Sequence, residues 1–224
     1  ARPGRPARPG RPARPGRPAR PGRRARLATL RRVVDSGARG SILVVCTGNV
    51  CRSPYIEVVL RHHLAGTGIA VTSAGSRALA GSPADTETER ALAEDGLTAD
   101  GFVARQLHPD LVEAADLVIT ATREHRSAVA QLQPRAMRRA FALTDLADLL
   151  RVAVDTGQVR REDQAVAEVV AAATACRADV APRPAESADI VDPYRRGPAV
   201  FAQAADQVRS ALPPVVTALR TAVG

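Results

Sequence analysis

The chain has 224 residues, with 32 Arg, 23 acidic residues and no Lys, so chemistries built on a Walker-type lysine, a Schiff-base lysine or a kinase strand lysine are excluded. The formal net charge of +9 is unevenly held: residues 1–40 carry thirteen Arg against one Asp, which leaves the rest of the chain mildly acidic. Three cysteines are too few for a disulfide framework, no apolar run reaches transmembrane length and no hydrophobic signal core opens the chain; a soluble, cytoplasmic protein without membrane insertion is therefore expected.

Residues 1–24 repeat the unit Ala-Arg-Pro-Gly-Arg-Pro four times, with Arg24 as the single change. Pro blocks helix and sheet ladders, Gly adds freedom and the Arg charges repel, so residues 1–40 read as a disordered tail. No aromatics interleave with the arginines, so charge attracts nucleic acid or acidic surfaces only generally, and no specific nucleic-acid partner is expected. Residues 25–36 read as a short basic helix leading into a domain over residues 41–224.

Within that domain the apolar, β-branched run 42–45 is a buried strand. A helix follows over about 54–65, with Ser53 as N-cap and Pro54 at its first position, burying Ile56, Val59, Leu60 and Leu64. His62 and His63 fall near its end, where cations are favoured, and read as such rather than as a metal pair. Residues 68–74 give a second strand; Ser82-Pro83-Ala84-Asp85 opens a helix to about 95, closed by Gly96. Residues 116–121 are a third strand, with His125 in the next short helix, and 139–143 a fourth. Residues 163–177 are an Ala/Val-rich helix carrying Cys176, 178–197 are irregular, and a terminal helix from about Pro198 is expected to bend or restart at Pro213-Pro214. Alternating strands and helices make an α/β fold, a parallel sheet covered on both faces with its ligand beyond the carboxyl ends of the strands.

The chemistry concentrates in Val45-Cys46-Thr47-Gly48-Asn49-Val50-Cys51-Arg52-Ser53-Pro54. A strand, a tight loop and a helix N-terminus make an anion cradle, because successive N–H groups and the helix dipole point into one hollow. Gly48 and Asn49 are the residue types that best tolerate positive φ. Cys46 stands at one end of the cradle and Arg52 at the other; the guanidinium fork suits phosphate, and the cradle favours a thiolate over a thiol. No second Cys or His pair supplies zinc geometry.

The Cys-x5-Arg-Ser spacing, with Asn49 three residues after Cys46, resembles the low-molecular-weight protein tyrosine phosphatase family. The likeness runs over roughly residues 41–224. Ser73-Ala74-Gly75-Ser76-Arg77-Ala78-Leu79-Ala80-Gly81 and Ala104-Arg105-Gln106 look like its bacterial branch, which acts on tyrosine autokinases of capsule and exopolysaccharide export. The resemblance implies a three-layer fold, a four-stranded parallel sheet flanked by helices with the phosphate-binding loop after strand 1. It implies hydrolysis of phosphotyrosine through a phosphocysteine on Cys46, with Arg52 gripping the phosphoryl group. Asp192, in Asp192-Pro193-Tyr194, would be the general acid. Thr47, Gly48, Asn49, Val50, Cys51 and Ser53 would bind substrate, Ser73 would support the loop through Asn49, and Tyr194 would wall a slot for a flat ring. Arg77 and Leu79 occupy the loop where eukaryotic-type members carry Trp or Tyr. No metal and no cofactor are implied; the partners are phosphotyrosine proteins, a bacterial tyrosine kinase of polysaccharide export among them. Cys51 stays open between a reversible disulfide partner for Cys46 and a buried loop filler. The chain departs from the family pattern at Phe102, where His is frequent, at Arg195, and over 152–187, which is long. An arsenate reductase on the same scaffold would need a relay of cysteines, and only Cys176 lies downstream. A non-catalytic phosphotyrosine-binding protein would not need the intact Cys46, Arg52 and Asp192 set.

Overall fold

Four short parallel strands, ordered β2-β1-β3-β4, form the centre of the computed structural model, which describes residues 39–224. The Arg-Pro-Gly repeat and the basic helix expected over 25–36 lie outside the described residues. The strands are β1 (Gly40–Cys46), β2 (Ile69–Gly75), β3 (Leu117–Thr120) and β4 (Ala140–Ala142). Val45 of β1 lies between Ala74 of β2 and Thr120 of β3, so all three strands end at one level.

Eight α-helices surround the sheet among the described residues: α1 (Arg52–His63), α2 (Thr86–Glu94), α3 (Pro109–Ala114), α4 (Arg123–Leu132), α5 (Leu143–Asp155), α6 (Ala165–Ala175), α7 (Ala185–Ala188) and α8 (Pro198–Val223). Successive β1 side chains point to opposite faces, and both faces are dry. Ile42, Val44 and Cys46 join a core with Ile56 and Leu60 of α1, Leu146 and Leu150 of α5, and Leu212 and Leu219 of α8. Leu43 and Val45 join a smaller core with Val112 of α3 and Val129 of α4. Continuous burial of Ile42 to Cys46 follows from this two-sided cover, and the three-layer α/β arrangement is the one the sequence implies.

Several elements differ from expectation. The first helix starts at Arg52, with Cys51 as an N-cap that makes no side-chain bond; Ser53, expected as the cap, lies inside the helix and its hydroxyl meets the Cys46 sulfur instead. The region after β4 folds into α5, which the strand reading of 139–143 overran by taking in Leu143. Leu143, Leu146, Ala147, Leu150 and Ala153 are fully buried at helical spacing, and each buried Leu contributes about 1.5–3 kcal/mol. The short α3 was also not anticipated. Cys176 lies not in α6 but in the 3-10 turn Cys176–Ala178 that follows it. The terminal helix does not restart: α8 runs unbroken through Pro213 and Pro214. Their rings sit away from the core while Leu212, Val215, Ala218 and Leu219 pack inward, so apolar burial against α5 outweighs the two lost N–H donors.

Candidate active site

The loop between β1 and α1 owes its shape to where its carbonyl groups go. Those of Cys46, Thr47 and Gly48 accept from the N–H groups of Ser76, Arg77 and Leu79, and that of Val50 accepts from Asp85. With the carbonyls tied outward, the loop N–H groups are left to the inner side, and Asn49 N donates to Cys46 Sγ at 3.3 Å. The segment beyond β2 packs so closely on the loop that a Cβ on Gly75 would lie 2.5 Å from the Thr47 carbonyl oxygen, so only glycine fits there.

Asn49 adopts φ 57°, a left-handed conformation that Asn tolerates better than most residues. Its buried amide is fully used. Nδ2 donates to Ser53 Oγ (2.9 Å) and Ser73 Oγ (2.7 Å), while Oδ1 accepts from Arg105 N (2.8 Å). Ser73 Oγ in turn donates to Glu57 Oε2 at 2.6 Å. Because Ser53 Oγ accepts from Asn49, its own O–H is free to donate to Cys46 Sγ, 2.9 Å away. A relay Glu57–Ser73–Asn49–Ser53 therefore ends on the sulfur.

Arg52 is almost wholly buried, its side chain 4% exposed, whereas that of Asp192 is 50% exposed. The guanidinium donates through Nη1 to the Ile190 carbonyl (3.1 Å) and pairs through Nη2 with Asp192 Oδ2 (2.9 Å). Its buried Nε–H has no protein acceptor. Asp192 Oδ1 accepts from Tyr194 N (3.2 Å), which holds the Asp192-Pro193-Tyr194 turn. Arg195, at φ 59°, lays its guanidinium 5.1 Å from the Tyr194 ring centre.

A pocket of about 110 Å³ opens on these groups. Cys46, Thr47, Gly48, Val50, Cys51 and Arg52 form its floor; Arg77, Leu79, Asp192 and the part-exposed Tyr194 form its rim. Ser73 and Asn49 stand behind the floor rather than in the pocket. Cys51 turns its side chain toward Phe201 and Ala104, and burial, followed by nearby Asp85, pushes its thiol up to about 12. Cys46, Cys51 and Cys176 are all free thiols.

Three residues carry part of this geometry without having been given a role at the site from the sequence. Glu57 anchors the relay; it lies on the stripe Ser53, Glu57, Leu60, Leu64, and a carboxylate on the inward stripe of a helix was the available signal. Arg105 donates to both Asn49 and the Ser73 carbonyl. His125 bridges the loop to α4: Nε2 meets Thr47 Oγ1 at 2.8 Å and Nδ1 meets Thr122 Oγ1 at 2.7 Å. Thr122 is also the N-cap of α4, accepting from His125 N. Burial, and secondly the Arg52 charge, lower His125 to about 4, so its imidazole is neutral at ordinary pH. His62 and His63 lie in the basic last turn of α1, and no cluster of three or more metal-ligating side chains occurs among the described residues.

A thiol and a buried guanidinium facing one pocket at the carboxyl end of a parallel sheet define a phosphate-loop α/β protein. Residues 41–153 match the model of the low molecular weight phosphotyrosine protein phosphatase family, and the chain belongs to that family, a family of phosphatases. A similar curated protein is the probable low molecular weight protein-tyrosine-phosphatase EpsP of Ralstonia nicotianae, 36% identical over 106 residues, which are 47% of this chain and 72% of that protein. Among solved structures, Vibrio vulnificus Wzb in complex with benzylphosphonate superposes with a TM-score of 0.57 at 25% identity, covering 80% of this chain and 97% of that one. The YwlE arginine phosphatase of Geobacillus stearothermophilus shares the fold, with a TM-score of 0.60 at 24% identity over 81% of this chain and 94% of that one. No helix among the described residues is long and apolar enough to cross a membrane.

Proposed function

We propose that this phosphatase hydrolyses phosphotyrosine in proteins through a phosphocysteine intermediate on Cys46. The observation that carries the reading is the meeting of Cys46, Arg52 and Asp192 in one pocket, with Arg52 paired to Asp192 at 2.9 Å across 140 residues of sequence. The Cys46 thiolate, steadied by the Ser53 hydroxyl and the Asn49 N–H, attacks phosphorus in line with the leaving oxygen. The S–P bond forms as the P–O bond to the tyrosyl oxygen breaks, and protonated Asp192 gives its proton to that oxygen. Phosphate oxygens take the Nε–H that lacks a protein acceptor and the Nη2–H held by Asp192, which frees the carboxyl group for the leaving oxygen. Water then attacks phosphorus; Asp192 accepts its proton, the P–S bond breaks and inorganic phosphate leaves.

The choice of phosphotyrosine is supported by the pocket rim. Tyr194 and Leu79 offer apolar flanks to an aromatic ring, and the sulfur lies at the bottom, beneath them. The resemblance of residues 73–81 to the branch serving capsule and exopolysaccharide export points to a bacterial tyrosine kinase of that system as the substrate protein. The test is hydrolysis of matched phosphotyrosine and phosphoserine peptides. Release of phosphate from the first at least a hundredfold faster, abolished by Cys46→Ser, is expected; equal rates, or hydrolysis retained by that variant, would overturn it.

A further inference from the structure

Outside the phosphatase pocket, four arginines gather around one hollow. A cleft of about 250 Å³ lies between α4, α5 and the segment that follows α6. Four arginines face it, Arg123, Arg126, Arg177 and Arg183, against two aspartates. Arg123 pairs with Asp145 at 2.7 Å and Arg183 with Asp148 through two nitrogens. That accounts for both carboxylates. Arg126 spends its guanidinium on the carbonyls of Ala140 and Met137, and Arg177 lies 5.0 Å from the Phe141 ring centre. Neither has a carboxylate within ion-pair distance among the described residues. Two positive charges thus stand unmatched in a cleft, on a domain that is otherwise mildly acidic. Burial, with the Arg177 charge behind it and Asp145 opposing, holds Arg126 below the usual arginine range.

We propose that this cleft is a second anion site, for a small phosphorylated molecule. Guanidinium groups from several sides suit the several oxygens of a phosphate, and the unmatched charge suits a dianion. Phe141, Leu149, Val180 and Pro182 line the other part of the cleft and suit a short apolar body. The volume lies below the roughly 300–1,000 Å³ usual for ligand pockets, which favours a compact ligand over a folded partner. The site is joined to the phosphatase pocket through the backbone. Arg123 N donates to Asp189 Oδ1 at 2.8 Å and Arg123 Nη1 to the Arg183 carbonyl at 3.2 Å, while the Ile190 carbonyl holds Arg52. The wall of the cleft is therefore the stretch of chain that leads to Asp192.

Inorganic pyrophosphate is a suitable probe. It is titrated calorimetrically at physiological ionic strength into the full chain after the phosphatase pocket has been blocked by covalent alkylation of Cys46. One pyrophosphate per chain is expected, with binding weakened at least tenfold in Arg177→Glu. Arg177 is exposed, so its replacement leaves the fold and the turnover of p-nitrophenyl phosphate intact. Absence of binding, or binding that Arg177→Glu leaves within twofold, overturns the proposal. The readout is binding, so a failure to hydrolyse phosphotyrosine would leave it standing.

Discussion

In the proposed cycle Asp192 holds two positions in turn. In the free protein its carboxylate occupies Arg52, and at 50% side-chain exposure it can leave that contact without opening the core. Asp192→Asn keeps the size and removes the proton, so kcat for an aryl phosphate should fall by roughly 10²–10⁴, the general-acid range. The fall should be larger for phenyl phosphate than for p-nitrophenyl phosphate, whose leaving group needs the proton less; steady-state kinetics on the pair measure both, and a change below threefold on both assigns the proton to another group. His125 offers a second test at this scale. Its folded value of about 4 lies below the ordinary 6.5, so between those limits the unfolded chain binds the extra proton. Its share of stability is whole above pH 6.5 and is lost as pH falls toward 4, on the order of 3 kcal/mol in all. Urea midpoints at pH 7 and pH 4.5 should draw together in His125→Gln; an unchanged gap would contradict the assignment.

At the scale of elements, the loop is held from behind. Asn49→Ala forfeits the bonds to Ser53, Ser73 and Arg105 and places alanine at positive φ, costing about 2–5 kcal/mol. Asn49→Gly relieves the backbone but not the lost bonds and should fall between that variant and the wild type in urea denaturation; an alanine variant within 0.5 kcal/mol of wild type would show the relay to be idle. What the sequence made legible here was local. A strand end, Gly48, Asn49, Arg52 and Ser53 lie within eight residues, so spacing alone exposes the cradle. The same stretch misled at one point: Ser-Pro is a strong helix start, yet the Ser53 hydroxyl is spent on the sulfur rather than on a backbone N–H. Pro213-Pro214 misled the other way, since a local breaker lost to the apolar stripe packing α8 on α5.

Across the whole molecule, the parts that sequence pattern hid are those brought together by topology. Asp192 was visible only through family likeness, because Asp-Pro is otherwise a turn signal and nothing in its neighbourhood names its partner. His125 reaches Thr47 only because β3 lies beside β1, so that α4 begins next to the loop. Glu57 was legible in principle from its stripe on α1, and Arg177 and Arg183 gain meaning only when α5 closes against the segment after α6. The two cores explain the division: each β1 residue alternates between them, so the sheet fixes the loop rigidly while the chain after α6 supplies Asp192 from the surface.

In the proposed mechanism the phosphoryl group passes through the sulfur of Cys46. Rapid mixing with p-nitrophenyl phosphate, quenching within the first turnovers, and mass spectrometry of the digested chain test it most directly. A phosphoryl adduct on the peptide bearing Cys46, present in the wild type and absent from Cys46→Ser, is expected. An adduct on another residue, or steady hydrolysis with none formed, would contradict it.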